Sequence, residues 1–134
     1  MKEIKQLFFT YRNGAVADTL RRYGMPYKVI FGLEIPRIAE IARGLEPSAG
    51  LADKLWEDRE VRESRILATY LFPVSETDIE KAVRLASDAR TQEEADMLAF
   101  RLFKRMPDPH ALLVRLESEP DCMAAAKALR QHIG

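Results

Sequence analysis

Apolar side chains recur every three or four positions along almost the whole chain. The clearest sets are Ile4, Leu7, Phe8 and Tyr11; Ile35, Ile38, Ile41 and Ala42; Ala95, Leu98, Ala99, Leu102 and Phe103; and Cys122, Ala125, Ala126 and Leu129. That period lays an apolar stripe along one side of an α-helix, which a neighbouring element must cover. No convincing alternation of period two appears. The nearest stretch, Tyr27 to Leu33, is too short and too isolated to pair as a strand. The chain is predicted to be all-α.

Helix starts are marked locally. Ser75 with Asp78, and Thr91 with Glu94, place a hydroxyl and an acid three residues apart, where they can satisfy the free N–H groups of a first turn. Asp108-Pro109 pairs a cap with a proline at the first helical position, and Glu119-Pro120 is a looser version. In IFGLEIPRI, Gly32 interrupts an apolar run and Pro36 opens the next helix, so the stretch reads as a hinge into a helix. These marks cut the chain into about nine helices, near 2–11, 15–23, 36–44, 48–57, 59–72, 76–89, 92–106, 109–118 and 120–132.

From Ser48 onward the helices fall into pairs joined by short turns, with pair starts near 48, 76 and 108. A single hairpin cannot hide its own apolar face and must stack on its neighbours, which describes an α-solenoid of helical hairpins. The expected organisation is one domain, 1–134, with 1–45 as N-terminal capping helices and 48–134 as about three hairpins. A compact bundle of unrelated helices is the rival arrangement, because the pairs share a pattern and not a sequence.

Composition narrows the chemistry. At 134 residues the chain can bury a core without a disulfide or metal framework. Cys122 is its single cysteine, and His110 and His132 are too far apart in sequence to suggest a Cys/His zinc cluster. No window approaches the ~20 apolar residues of a membrane span, so a soluble, cytoplasmic protein is expected. The 21 basic and 21 acidic residues cancel. A nucleic-acid binder of this composition needs its cations sorted onto one surface by the fold.

The succession YKVIFGLEIPRIAEIARGL, LADKLWEDREVRESRILATYLF and TQEEADMLAFRLFKRMP resembles the DNA alkylation-repair family of HEAT-like repeat glycosylases, in particular its short bacterial members. The likeness runs from about Tyr11 to Pro107, and its most specific pieces are the FG-x-x-I-P turn and the Leu-Trp followed by an acid-rich turn and an Ile-Leu-Ala helix. The resemblance implies a curved stack of hairpins whose concave face holds duplex DNA. It also implies hydrolysis of the glycosidic bond of cationic alkylated purines, with no metal or other cofactor and without the base flipping used by most glycosylases. Such a lesion already leaves readily, so the protein needs chiefly a carboxylate for the oxocarbenium-like sugar, an aromatic surface and an arginine on the backbone. By that likeness the family aspartate falls on Asp96, the family tryptophan on Gln92 and the family arginine on Ala124.

Asp96 is thus the candidate catalytic residue. On helical geometry Gln92, Asp96 and Phe100 share one flank of their helix, beside the apolar stripe. If the second helix of each pair lines the concave face, Arg65, Arg101, Lys127 and Arg130 approach consecutive phosphates. The plainer readings are a solvated carboxylate favoured by the helix dipole, and surface pairs of Arg59, Arg62 and Arg65 with Glu57, Glu60 and Glu63 worth roughly 0.3 to 0.5 kcal/mol each. Trp56 follows Leu51, Ala52 and Leu55 and reads as a hairpin-core anchor. Cys122 reads as inert, and neither histidine receives a role. Two functions remain open: a duplex-DNA-binding repair protein with weak glycosylase chemistry at Asp96, or a non-catalytic helical-repeat scaffold for a protein or another nucleic-acid structure.

Overall fold

The computed structural model describes residues 1–134 and contains nine α-helices and no sheet. The chain divides into two compact units, Met1–Leu71 and Phe72–Gly134.

The first unit holds α1 (Lys2–Thr10), α2 (Gly14–Arg22), α3 (Ile35–Arg43), α4 (Ala49–Glu57) and α5 (Arg62–Leu71). Asn13 caps α2 and Ser48 caps α4, each side chain accepting an N–H three residues on. Helices α4 and α5 form a hairpin, with α3 against α5. Pro36 sits in the first turn of α3, one residue after the helix begins.

Helix α5 departs most from its sequence pattern. Every residue from Val61 to Thr69 is buried, including Arg62, Glu63, Ser64 and Arg65. Arg62, Glu63 and Arg65 are therefore not members of surface pairs, whereas Glu57, Arg59 and Glu60 are exposed as expected. Arg62 Nη1 lies 2.9 Å from Glu63 Oε2 and donates to the Leu33 carbonyl at 2.7 Å. Arg65 Nη1 donates to the Trp56 carbonyl at 2.7 Å, and its guanidinium stacks 3.6 Å from the Trp56 ring centroid. A planar, weakly hydrated cation fits such a site, where stacking and a carbonyl replace water. Trp56 is 5% exposed and serves as the hairpin anchor expected of it.

Glu63 reaches into the Tyr27–Leu33 stretch and accepts three backbone N–H groups, from Phe31 and Gly32 at 3.0 Å each and from Leu33 at 3.3 Å. The same stretch does pair, through one parallel bridge between Val29 and Val61. The long-range partner supplied by the start of α5 is invisible to a local alternation test. Gly32 has φ +87°, and a Cβ there would fall 2.1 Å from the Asn13 carbonyl oxygen. Backbone conformation and close approach both require glycine at this turn.

The second unit holds α6 (Ile79–Asp88), α7 (Gln92–Arg101), α8 (Pro109–Glu117) and α9 (Met123–Ile133), with 3₁₀ turns at Val74–Glu76, Phe103–Arg105 and Pro120–Cys122. Those turns shorten three predicted helices. Ser75 lies within one of them, and Asp78 itself caps α6 by accepting from Lys81 N–H at 2.8 Å. Thr91 and Asp108 cap α7 and α8 as their spacing predicts.

Here the hairpin α6–α7 stacks on α8–α9: α7 packs along α9, and α6 packs on α8. The buried residues of α7 include Ala95, Leu98 and Ala99, and those of α9 include Ala125, Ala126, Ala128 and Leu129, so both helices are rich in small buried side chains. Alanine admits a close helix approach without a cavity. Equivalent helices lying side by side is the packing unit of a solenoid. No helix is long and apolar enough to cross a membrane.

Candidate functional site

The outer flank of α7 follows from its cap. With Thr91 fixing the start of the helix, Glu94, Ala95 and Leu98 turn inward and Gln92, Asp96 and Phe100 turn outward at four-residue spacing. All three outward side chains are exposed. Glu94 accepts from the Arg90 N–H at 2.8 Å, so this acid belongs to the helix start and leaves Asp96 as the carboxylate of the outer face.

Asp96 does not stand alone. Gln92 Nε2 donates to Asp96 Oδ1 at 2.8 Å, which orients the carboxylate from one turn away. Across the seam, Lys127 and Gln131 of α9 line the same cleft of about 340 Å³ with Gln92 and Asp96, and Ala128 forms part of its wall. The cleft thus holds a carboxylate, a primary ammonium and two amides. It can place a negative charge beside one part of a ligand and a cation beside another, with amide donors and acceptors between them.

Further along α7, Phe100 meets α9 again. Its ring lies 5.2 Å from that of His132, with the planes inclined at 47°. Lys104 Nζ is 3.9 Å from the Phe100 centroid, and the Arg101 guanidinium carbon is 5.7 Å away. Sequence reasoning gave His132 and Gln131 no role, because only the α7–α9 packing reveals what they face. Lys104 lies between Arg101 and Arg105 in the chain, so three cations follow one another at the end of α7.

The other named residues separate. Arg65 is 0% exposed in the first unit and engaged with Trp56, so its expected place in a row of phosphate-binding cations is corrected: it is a core residue. Arg130 is exposed but ion-paired to Glu117. Arg101 is half-buried. Lys127 is exposed on the cleft. Ala124, where the arginine of the resemblance falls, is also exposed, one turn before Lys127 on α9. No three His, Cys, Asp or Glu side chains converge in a way that could hold a metal ion.

A family model described as DNA alkylation repair enzyme matches residues 4–122, most of the chain. The match includes Gln92, Asp96, Phe100 and Lys104 and ends before Lys127. No curated protein and no solved structure gives a significant match.

Proposed function

The chain belongs to the DNA alkylation repair enzyme family, and from that premise we propose that its second unit binds duplex DNA through the α7–α9 face, with weak N-glycosylase chemistry at Asp96. The observation that carries this reading is the cleft in which Gln92, Asp96, Lys127 and Gln131 meet. Lys127 pairs with a backbone phosphate, a contact that needs a cation but no base sequence. Asp96 faces the deoxyribose of the lesion nucleotide.

A purine alkylated on a ring nitrogen carries a positive charge and departs neutral when its bond to C1′ breaks. The electron pair of that bond goes to the base, and positive charge appears on the sugar. A fixed carboxylate stabilises that charge more as it develops than in the ground state, which is the condition for catalysis. Water then adds to C1′ and loses a proton, leaving an abasic site. The Gln92 amide holds the carboxylate in place while the other oxygen remains available to the sugar.

The same hydrogen bond favours a second reading. An amide at position 92 supplies no large aromatic face, and it occupies one oxygen of Asp96. In that reading the unit is a non-catalytic grip for DNA or another partner.

Release of methylated purine from alkylated duplex DNA separates the two. The catalytic reading expects release above the spontaneous rate, falling on the order of 10²-fold or more toward background in Asp96→Asn, by analogy with loss of one electrostatic stabiliser. Release equal to the spontaneous rate in the parent protein, with duplex binding intact, leaves the grip.

A further inference from the structure

Phe100 is a large apolar side chain 41% exposed on the outer flank of α7, outside the stripe that builds the core. Two cations and an imidazole border it. The Lys104 ammonium lies over its ring, the Arg101 guanidinium is next to it, and His132 closes the side toward α9. Arg105, also exposed, follows on the same 3₁₀ turn and donates from Nη1 to the Arg101 carbonyl. An aromatic face bordered by flexible cations combines the two elements that recognise single-stranded nucleic acid: a surface for a base and charges for its phosphates.

The geometry limits what can use it. Bases within an intact duplex present only edges in the grooves, and their faces are covered by the neighbouring pairs. A ring fixed on a helix surface can stack only on a base whose face is open. Base-on-aromatic stacking is generally stronger than an exposed ammonium–ring contact, so an arriving base displaces Lys104 from Phe100. The displaced ammonium, on a flexible stem, then meets the nucleotide's phosphate.

Phe100 also lies four residues beyond Asp96 on one helix flank, about 6 Å along the axis, which is within two nucleotide steps of roughly 3.4 Å. The two features can engage one DNA strand together.

We propose that Phe100, Lys104, Arg101 and His132 form a docking site for an unpaired nucleotide, and that the protein prefers duplex DNA interrupted by unpaired bases over intact duplex. This rests on the reading of the α7–α9 face as a DNA surface and names the class of DNA that it takes.

Fluorescence anisotropy at one salt concentration tests it with a blunt duplex, the same duplex carrying a short single-stranded gap, and a single-stranded RNA oligomer as the rival ligand. The expected result is binding to the gapped duplex on the order of tenfold tighter than to the blunt one. Phe100→Ala removes that preference, Phe100→Trp retains it, and Arg84→Ala, an exposed cation of α6, has no effect on it.

Equal affinity of the parent protein for gapped and blunt duplex overturns the inference and leaves the DNA reading standing. So does a preference that survives in Phe100→Ala. Tighter binding of the RNA than of the gapped duplex also overturns it as a statement about DNA. Failure to bind any probe overturns the inference together with the DNA reading.

Discussion

At the scale of the residue, Glu63 shows how far a side chain's job can lie from its local pattern. In EVRESR it sits among charges at helical spacing, and the simplest reading is a solvated face. In the fold it is fully buried, gathers the N–H groups of Phe31, Gly32 and Leu33, and neutralises Arg62. Removing one partner of such a pair leaves a buried charge and three donors to resolvate. Glu63→Ala is expected to lose about 3 to 5 kcal/mol of unfolding free energy, measured by urea denaturation. A loss within about 0.5 kcal/mol, the ordinary range for a surface substitution, contradicts this account. The FG-x-x-I-P and acid-rich stretches that carry the family resemblance meet in this lock, so their specificity reflects structure. Gly32 was legible as a break, because glycine is permissive at positive φ. Its crowding against Asn13 and its ligation by Glu63 were not, since both depend on contacts distant in sequence. Arg65 was misplaced for the same reason: nothing local distinguishes a guanidinium stacked on an indole from one in water.

At the scale of the element, stripes and most caps were legible and helix ends less so. Ser75 is the exception among the caps, because it lies in a 3₁₀ turn and Asp78 caps α6. Thr91 and Asp108 act where their spacing predicts, whereas α7 stops at Arg101 and passes into a 3₁₀ turn through Leu102 and Phe103, both apolar enough to continue the stripe. The outward set Gln92, Asp96 and Phe100 followed directly from the period of 3.6. Their partners on α9 did not, because stacking of successive hairpins brings those residues opposite them. On α6 and α8 the stacking carries an ion pair, with Arg115 Nη1 2.5 Å from Glu80 Oε1. The hydrogen bond from Arg115, reinforced by its charge, holds the Glu80 carboxyl below its ordinary value of 4.5. A carboxyl depressed in the folded state contributes stability that is fully present above its unfolded value and is lost as pH falls through its folded value. Glu80→Gln should therefore flatten the acid limb of the stability profile below about pH 4.5 and change little at neutrality, the pair being exposed and screened by salt. Acid unfolding followed by circular dichroism checks this; an unchanged acid limb in the variant contradicts it.

At the scale of the whole molecule, the all-α class and the hairpin unit were legible because amphipathic period, caps and short turns agree with one another. Function was less legible because overall charge is zero and only folding distinguishes buried from available cations. Of the four cations first assigned to phosphates, Arg65 is in the core and Arg130 is paired with Glu117, while Lys127 remains on the cleft beside Asp96. The most direct measurement is therefore duplex DNA affinity as a function of salt for the parent protein and Lys127→Ala. The account predicts that the logarithm of the binding constant falls linearly with the logarithm of salt concentration, and that the variant binds more weakly with a slope smaller by about 1. No binding to duplex at low salt, or an identical slope in Lys127→Ala, contradicts it.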